Sequence, residues 1–184
     1  MSDSHAIGHQ LDGQQLYEMQ KQIRMRPDYL AAPTIVATSL KMSVNQGSVL
    51  RIADSAGCKQ VIFLSNNADQ DRQLSKLHRT ARNSESLLDW RVSSYEEFLA
   101  DDVPRLAPLI AIELTSNSVS LFDTQLPEDC AFVIGNERHG IPTSVLQQCR
   151  QAIHVPMYGI NGSMNVTHAL AVVIFEWRRQ HLSR

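Results

Sequence analysis

The sequence predicts an α/β fold, a mostly parallel β-sheet with helices on both faces, in a single domain behind a short N-terminal helical extension. Two observations carry this. Short apolar runs rich in Val and Ile lack the polar alternation of a half-wet sheet, and so read as strands covered on both faces. Between them lie segments of helical periodicity, and strand–helix alternation of this kind builds parallel sheets. The chain has 184 residues with 43% hydrophobic content, enough to bury one core.

Residues 1–33 read as a helical extension and linker, and residues 34–184 as the main domain. In the extension, Gln14–Arg26 sets Leu16, Met19 and Ile23 on one face, and Pro27 and Pro33 end the pattern. Strands are expected over Thr34–Ser39, Gln60–Ser65, Leu88–Val92, Pro108–Leu114, Cys130–Gly135 and Ala152–Met157. The helix expected over Gln46–Ala56 has one broad apolar face, Val49, Leu50, Ile52, Ala53 and Ala56, and Gly57 stands where a left-handed terminator belongs. Ser94–Ala100 and Pro142–Cys149 are shorter helical segments, the second with proline in its first turn. Met164–Gln180 is apolar all round in its middle, and its length and Glu-Trp-Arg-Arg-Gln tail make it a buried helix.

Composition narrows the function classes. The net charge of −2 is not that of a protein gripping nucleic acid over its whole surface, so any such binding needs a local patch or an oligomer groove. The three cysteines, Cys58, Cys130 and Cys149, have no C-x-x-C spacing. The N-terminus lacks an apolar signal core, and the longest apolar run, Ala169–Phe175, is too short to span a bilayer. A cytoplasmic protein with no membrane partner is expected.

Several motif readings fail. No G-x-G-x-x-G follows a strand, and Gly135–Gly140 has Walker-loop spacing but Ile141-Pro142 where Lys-Ser/Thr is needed. His139, His154 and His168 lack metal-site spacing, and no metal is expected. Three segments remain. They are Asn45-Gln46-Gly47-Ser48-Val49-Leu50-Arg51, then Ile134–Ile141 (IGNERHGI), then Val155–Gly159 with Ser163-Met164-Asn165-Val166. Each falls near the carboxyl end of a candidate strand, where open α/β sheets bind ligands.

Written as N-x-G-x-x-x-R, I-G-N-E-x-x-G-I and V-P-M-x-G-x-x-x-S-M-N-V-x-x-A, these segments resemble the three motifs of the SpoU/TrmH family. That family comprises SPOUT-class RNA ribose 2′-O-methyltransferases, and the likeness runs from about Thr34 to Arg179. The resemblance implies S-adenosyl-L-methionine as cofactor, a deep C-terminal trefoil knot, and a homodimer whose paired knots form an RNA groove. It implies a cofactor pocket lined by Glu113, Leu114, Gly135, Val155, Met157, Ser163 and Met164, where Gly135 would let backbone close on adenosine. It also implies Arg51, Asn45, Glu137 and Asn165 as active-site residues, Glu137 facing the reacting side.

Each residue also has a plainer reading. Arg51 could be an exposed helix arginine paired with Asp54, Asn45 and Asn165 could be helix N-caps, and the glycines could be turn residues. Since a guanidinium resists deprotonation, Arg51 is better suited to holding a phosphate and stabilising charge on the attacking oxygen than to acting as a base. Arg72, Lys76 and Arg79 share a helical face with Arg82 close by, either an RNA stripe or a solvated face. Trp177 fits either the dimer interface or the core. The expected activity is methylation of a ribose 2′-OH in structured RNA, with tRNA favoured over rRNA. The alternatives are methylation of a base nitrogen, against which the Asn45/Arg51 pair argues, and a non-catalytic RNA-binding protein retaining the pocket.

Overall fold

The computed structural model describes residues 8–66, 88–106 and 108–182, which fall into two compact units parted between Leu30 and Ala31. In the first unit, helix α1 (Gly13–Arg24) is opened by a capping box: the Asp12 carboxylate accepts from the Gln14 and Gln15 N–H groups, and Gln15 returns a contact to the Asp12 N–H. None of its residues is buried.

The second unit is built on β1 (Thr34–Thr38), β2 (Gln60–Leu64), β3 (Asp89–Ser93), β4 (Leu109–Ile112), β5 (Val119–Ser120), β6 (Ala131–Ile134) and β7 (Cys149–His154). They form one sheet in the order β3-β2-β1-β6-β4-β7-β5, with every neighbouring pair parallel. The unbroken apolar runs behave as expected: every residue of β1, β4 and β6 is buried. Val36, Ile62, Ala111 and Val133 meet in the core with Phe98 and Val145.

Boundaries move for identifiable reasons. The expected strand Ala152–Met157 lies at Cys149–His154, because Leu109 to Ile112 pair with Cys149 to Ile153 and Pro156 lacks an N–H for a ladder. Cys149 is therefore strand, and the helix expected over Pro142–Cys149 shrinks to α4 (Thr143–Leu146). The segment expected over Ser94–Ala100 becomes α3 (Tyr95–Glu97), opened by a Ser94–Glu97 capping box and continued as a π-turn over Phe98–Asp102. Strand β5 was not foreseen, since two residues carry no periodicity.

Two long helices pack together beside the sheet. Helix α2 (Ser43–Ala56) starts a turn earlier than expected and stops at Gly57, at φ 68° and ψ 44°, in the left-handed role its sequence position implied. Helix α5 (Val166–His181) packs on α2. Trp177 is fully buried and its Nε1 donates to the Pro127 carbonyl at 2.8 Å, so it is core and not interface surface. Beside it, Arg178 lies 5.3 Å from the Trp177 ring centre and donates from Nε to the Ala56 carbonyl at 2.7 Å. Among the described residues, no helix is long and apolar enough to cross a membrane.

Candidate active site

The carboxyl ends of β1, β4, β6 and β7 open into a cleft of about 840 Å³. Its position follows from the sheet order: β1 continues to β2 on one side, while β6, β4 and β7 continue on the other, which leaves the strand-end crevice between them.

The wall after β6 is a closed loop. Asn136 and Gly140 exchange two backbone hydrogen bonds of 3.0 Å each. The Asn136 side chain, only 8% exposed, organises the turn: its Oδ1 accepts from the Arg138 and His139 N–H groups, and its Nδ2 donates to the Ser39 carbonyl at 2.6 Å. Gly135 is needed because the loop folds back on it. A Cβ there would stand 2.6 Å from the Ile141 nitrogen and 2.7 Å from the Gly140 Cα. The glycine thus makes room for this chain's own backbone, a steric requirement that stands beside its place in the cleft lining. Gly140 sits at φ 65°, and Glu113 Oε2 occupies the space where its side chain would begin. That oxygen accepts from the Ile141 N–H at 3.1 Å, and Glu113 Oε1 accepts from the Leu114 N–H at 3.1 Å, so Glu113 pins the loop to the end of β4.

Across the cleft, Ser39 ends β1 with φ 46°, a conformation uncommon outside glycine. The turn is held by Ser39 N–H donating to the Leu64 carbonyl, by Asn136, and by a 2.8 Å contact between the Ser39 and Tyr95 hydroxyls. It delivers Lys41 and Met42 to the start of α2, whose N-cap, Met42, has no capping side chain. Glu137 takes that role from 95 residues away. Its Oε1 and Oε2 accept from the Met42 and Lys41 N–H groups, each at 3.3 Å, and Oε1 also accepts from Asn45 Nδ2 at 2.7 Å. Burial works against the Glu137 charge, yet these hydrogen bonds together hold its pKa below the ordinary 4.5.

Asn45 is 4% exposed and lies inside the first turn of α2, so the N-cap reading for it fails. Asn165 does cap its helix: its Oδ1 accepts from the Thr167 N–H at 2.8 Å, while its Nδ2 donates to Asn45 Oδ1 at 3.4 Å. Asn165, Asn45 and Glu137 therefore form one hydrogen-bonded run that joins all three motif segments at the cleft.

The cleft lining includes Glu113, Leu114, Gly135, Val155, Met157, Ser163 and Met164, together with Asn45, Glu137 and Asn165. Arg51 is not part of it. It stands exposed on α2, outside the cleft of its own chain, and no hydrogen bond or ion pair joins it to a described residue, Asp54 included. Arg72, Lys76, Arg79 and Arg82 lie outside the described residues. Sequence reasoning gave Asn136 no role, although an asparagine followed by polar residues and glycine at a strand end is a turn-building signal. His154, which lines the cleft with its Nδ1 3.1 Å from Ser118 Oγ, was seen only as a failed metal ligand. Burial pushes the Cys58 and Cys130 thiols up to about 12 and Cys149 to about 11, so none of them is activated as a nucleophile.

Several known proteins are similar to this chain. A mouse (Mus musculus) tRNA (guanosine(18)-2′-O)-methyltransferase is 30% identical over 148 residues, 80% of this chain and 9% of that protein. The Burkholderia ambifaria tRNA (cytidine(34)-2′-O)-methyltransferase is 26% identical over 149 residues, covering 79% of this chain and 94% of that one. Among solved structures, an AdoMet-bound rRNA methyltransferase from Sinorhizobium meliloti superposes with a TM-score of 0.72 at 22% identity, covering 88% of this chain and 61% of that one. The chain thus spans about a tenth of the mouse protein's length and under two thirds of the Sinorhizobium chain's. Residues 32–175 match the SpoU rRNA Methylase family, and with that match over most of its length the chain belongs to this family.

Proposed function

We propose that this chain is an S-adenosylmethionine-dependent RNA ribose 2′-O-methyltransferase, acting in the cytoplasm as a homodimer with the knotted threading of its family. The observation that carries the reading is the run Asn165–Asn45–Glu137, which brings one residue from each motif segment to a single cleft. Family membership and the names of the relatives support the same chemistry. Transfer RNA is favoured over ribosomal RNA, since a relative matched over nearly its whole length is named for tRNA.

The cleft's donor set fits the cofactor. Ile112, Leu114, Val155 and Met157 offer apolar surface for a purine, Ser163 offers a hydroxyl, and the carboxylates of Glu113 and Glu137 favour a sulfonium cation. Bound there, S-adenosylmethionine supplies a methyl group activated by the positive sulfur. Asn45 and Asn165 hold the start of α2 against the start of α5, and Glu137 ties both to the loop after β6. Arg51 holds a substrate phosphate and stabilises negative charge on the attacking 2′-oxygen, a role suited to a group that keeps its proton. Because Arg51 lies outside the cleft of its own chain, this role asks for a second copy whose cleft is presented to it, so the Arg51 assignment and the homodimer are tested together.

The test is incubation of the purified protein with S-adenosylmethionine and total cellular RNA, followed by nucleoside analysis. Ribose-methylated products are expected. Base-methylated nucleosides would instead indicate a base-nitrogen enzyme, and RNA binding without any product a non-catalytic protein. Arg51→Ala should lower turnover by about 10²–10³-fold, the loss typical of one transition-state donor, while cofactor affinity stays within about twofold because Arg51 is off the cleft.

A further inference from the structure

We propose that Arg138 is the anion-binding residue of the cleft, taking either the carboxylate at the methionine end of S-adenosylmethionine or a phosphate of the bound RNA. The assignment rests on the methyltransferase reading and goes beyond it by giving a role to a residue the motifs leave variable.

The cleft's charge inventory points there. Two carboxylates line it, Glu113 and Glu137, and the donors that satisfy them are backbone N–H groups and the Asn45 amide, all neutral. Among the described residues, no ion pair neutralises either carboxylate. Their negative charge suits the sulfonium and ammonium groups of the cofactor but repels an incoming carboxylate or phosphate. Arg138 is the only Lys or Arg among the described lining residues, and no hydrogen bond or ion pair joins its guanidinium to a described residue.

Its presentation is also fixed. The Arg138 N–H donates to Asn136 Oδ1 at 2.9 Å, the His139 N–H donates to the same oxygen at 3.2 Å, and the Asn136–Gly140 backbone pair closes the loop. The exposed side chain thus swings from an anchored base, and a guanidinium fork matches the two oxygens of a carboxylate or phosphate.

The experiment compares the wild type with Arg138→Ala and Arg138→Lys. Titration calorimetry measures S-adenosylmethionine against its decarboxylated form, which keeps the sulfonium and the amine. Filter binding measures total cellular RNA across a salt series. If the carboxylate is the ligand, the wild type prefers the intact cofactor by about tenfold, Arg138→Ala abolishes the preference, and Arg138→Lys keeps part of it. If a phosphate is the ligand, cofactor discrimination is unchanged and the slope of log affinity against log salt falls by about 0.7–0.9 in Arg138→Ala. The same discrimination and the same slope in all three proteins would overturn the proposal. Thermal unfolding of Arg138→Ala should match the wild type, and a large loss of stability would show that the guanidinium already serves the fold. A wild type that binds neither cofactor nor RNA would sink the methyltransferase reading, whereas a wild type that binds both, with unaltered variants, removes only the assignment of Arg138.

Discussion

The two ends of helix α2 are closed by distant parts of the chain in different ways. At its C-terminus, Gly57 turns into the left-handed region and Arg178 donates to the Ala56 and Gly57 carbonyls, from a side chain that also lies beside the buried Trp177. At its N-terminus no residue of the helix's own start caps it, and the carboxylate of Glu137 is supplied by the loop after β6. One end is fastened to the core, the other to a loop that forms the wall of a cleft. The difference separates stability from function: loosening the first should cost folding energy and spare chemistry, and loosening the second should do the reverse.

The largest effect on stability is expected at the core end. Arg178→Ala removes the charge-assisted hydrogen bonds to the Ala56 and Gly57 carbonyls and the contact with the Trp177 ring, and should cost about 2–3 kcal/mol. Thermal unfolding would read this as a fall in Tm of several degrees, with turnover per folded molecule unchanged; lost turnover in folded protein would break the comparison. Next, Gly57→Ala forces a side chain into the left-handed region and should cost roughly 1–2 kcal/mol by denaturant titration, again without touching kcat. At the cleft end, Glu137→Gln should cost only about 1 kcal/mol at neutral pH while lowering turnover about tenfold. Its pH dependence has a definite sign. Hydrogen bonding holds the Glu137 pKa below 4.5, so its contribution is complete above the ordinary carboxylate range and is lost as pH falls through the lower folded-state value. Wild type and Glu137→Gln should therefore converge in stability under acid, and a constant gap down to low pH would show that the charge is not what holds the helix.

Local sequence made the sheet and the terminator of α2 readable. Thr34–Thr38 and Ala131–Ile134 are apolar runs whose burial on both faces leaves no other reading, and Gly57 follows the last apolar residue of its helix. What local sequence could not reveal is pairing across long separations. Asn45 looked like an N-cap because asparagine before an apolar face usually is one, but its true partners are 92 and 120 residues away. Glu113 lines the cleft, but the hold of its oxygens on the Leu114 N–H and, 28 residues away, on the Ile141 N–H had no local signature. The expected active-site grouping came from a family likeness, and Arg51 stands outside the cleft that the other three line.

The loop from Gly135 to Ile141 has a consequence for rates. Its shape is imposed by neighbours already in place: Ile141 backbone against Gly135, the Glu113 carboxylate at Gly140, and the Asn136 amide under the turn. A wall set in advance does not have to be ordered when a ligand arrives, so binding loses less entropy there. Cofactor association should then be a single concentration-proportional phase in stopped-flow traces, free of the slow plateau that marks a wall assembled around its guest.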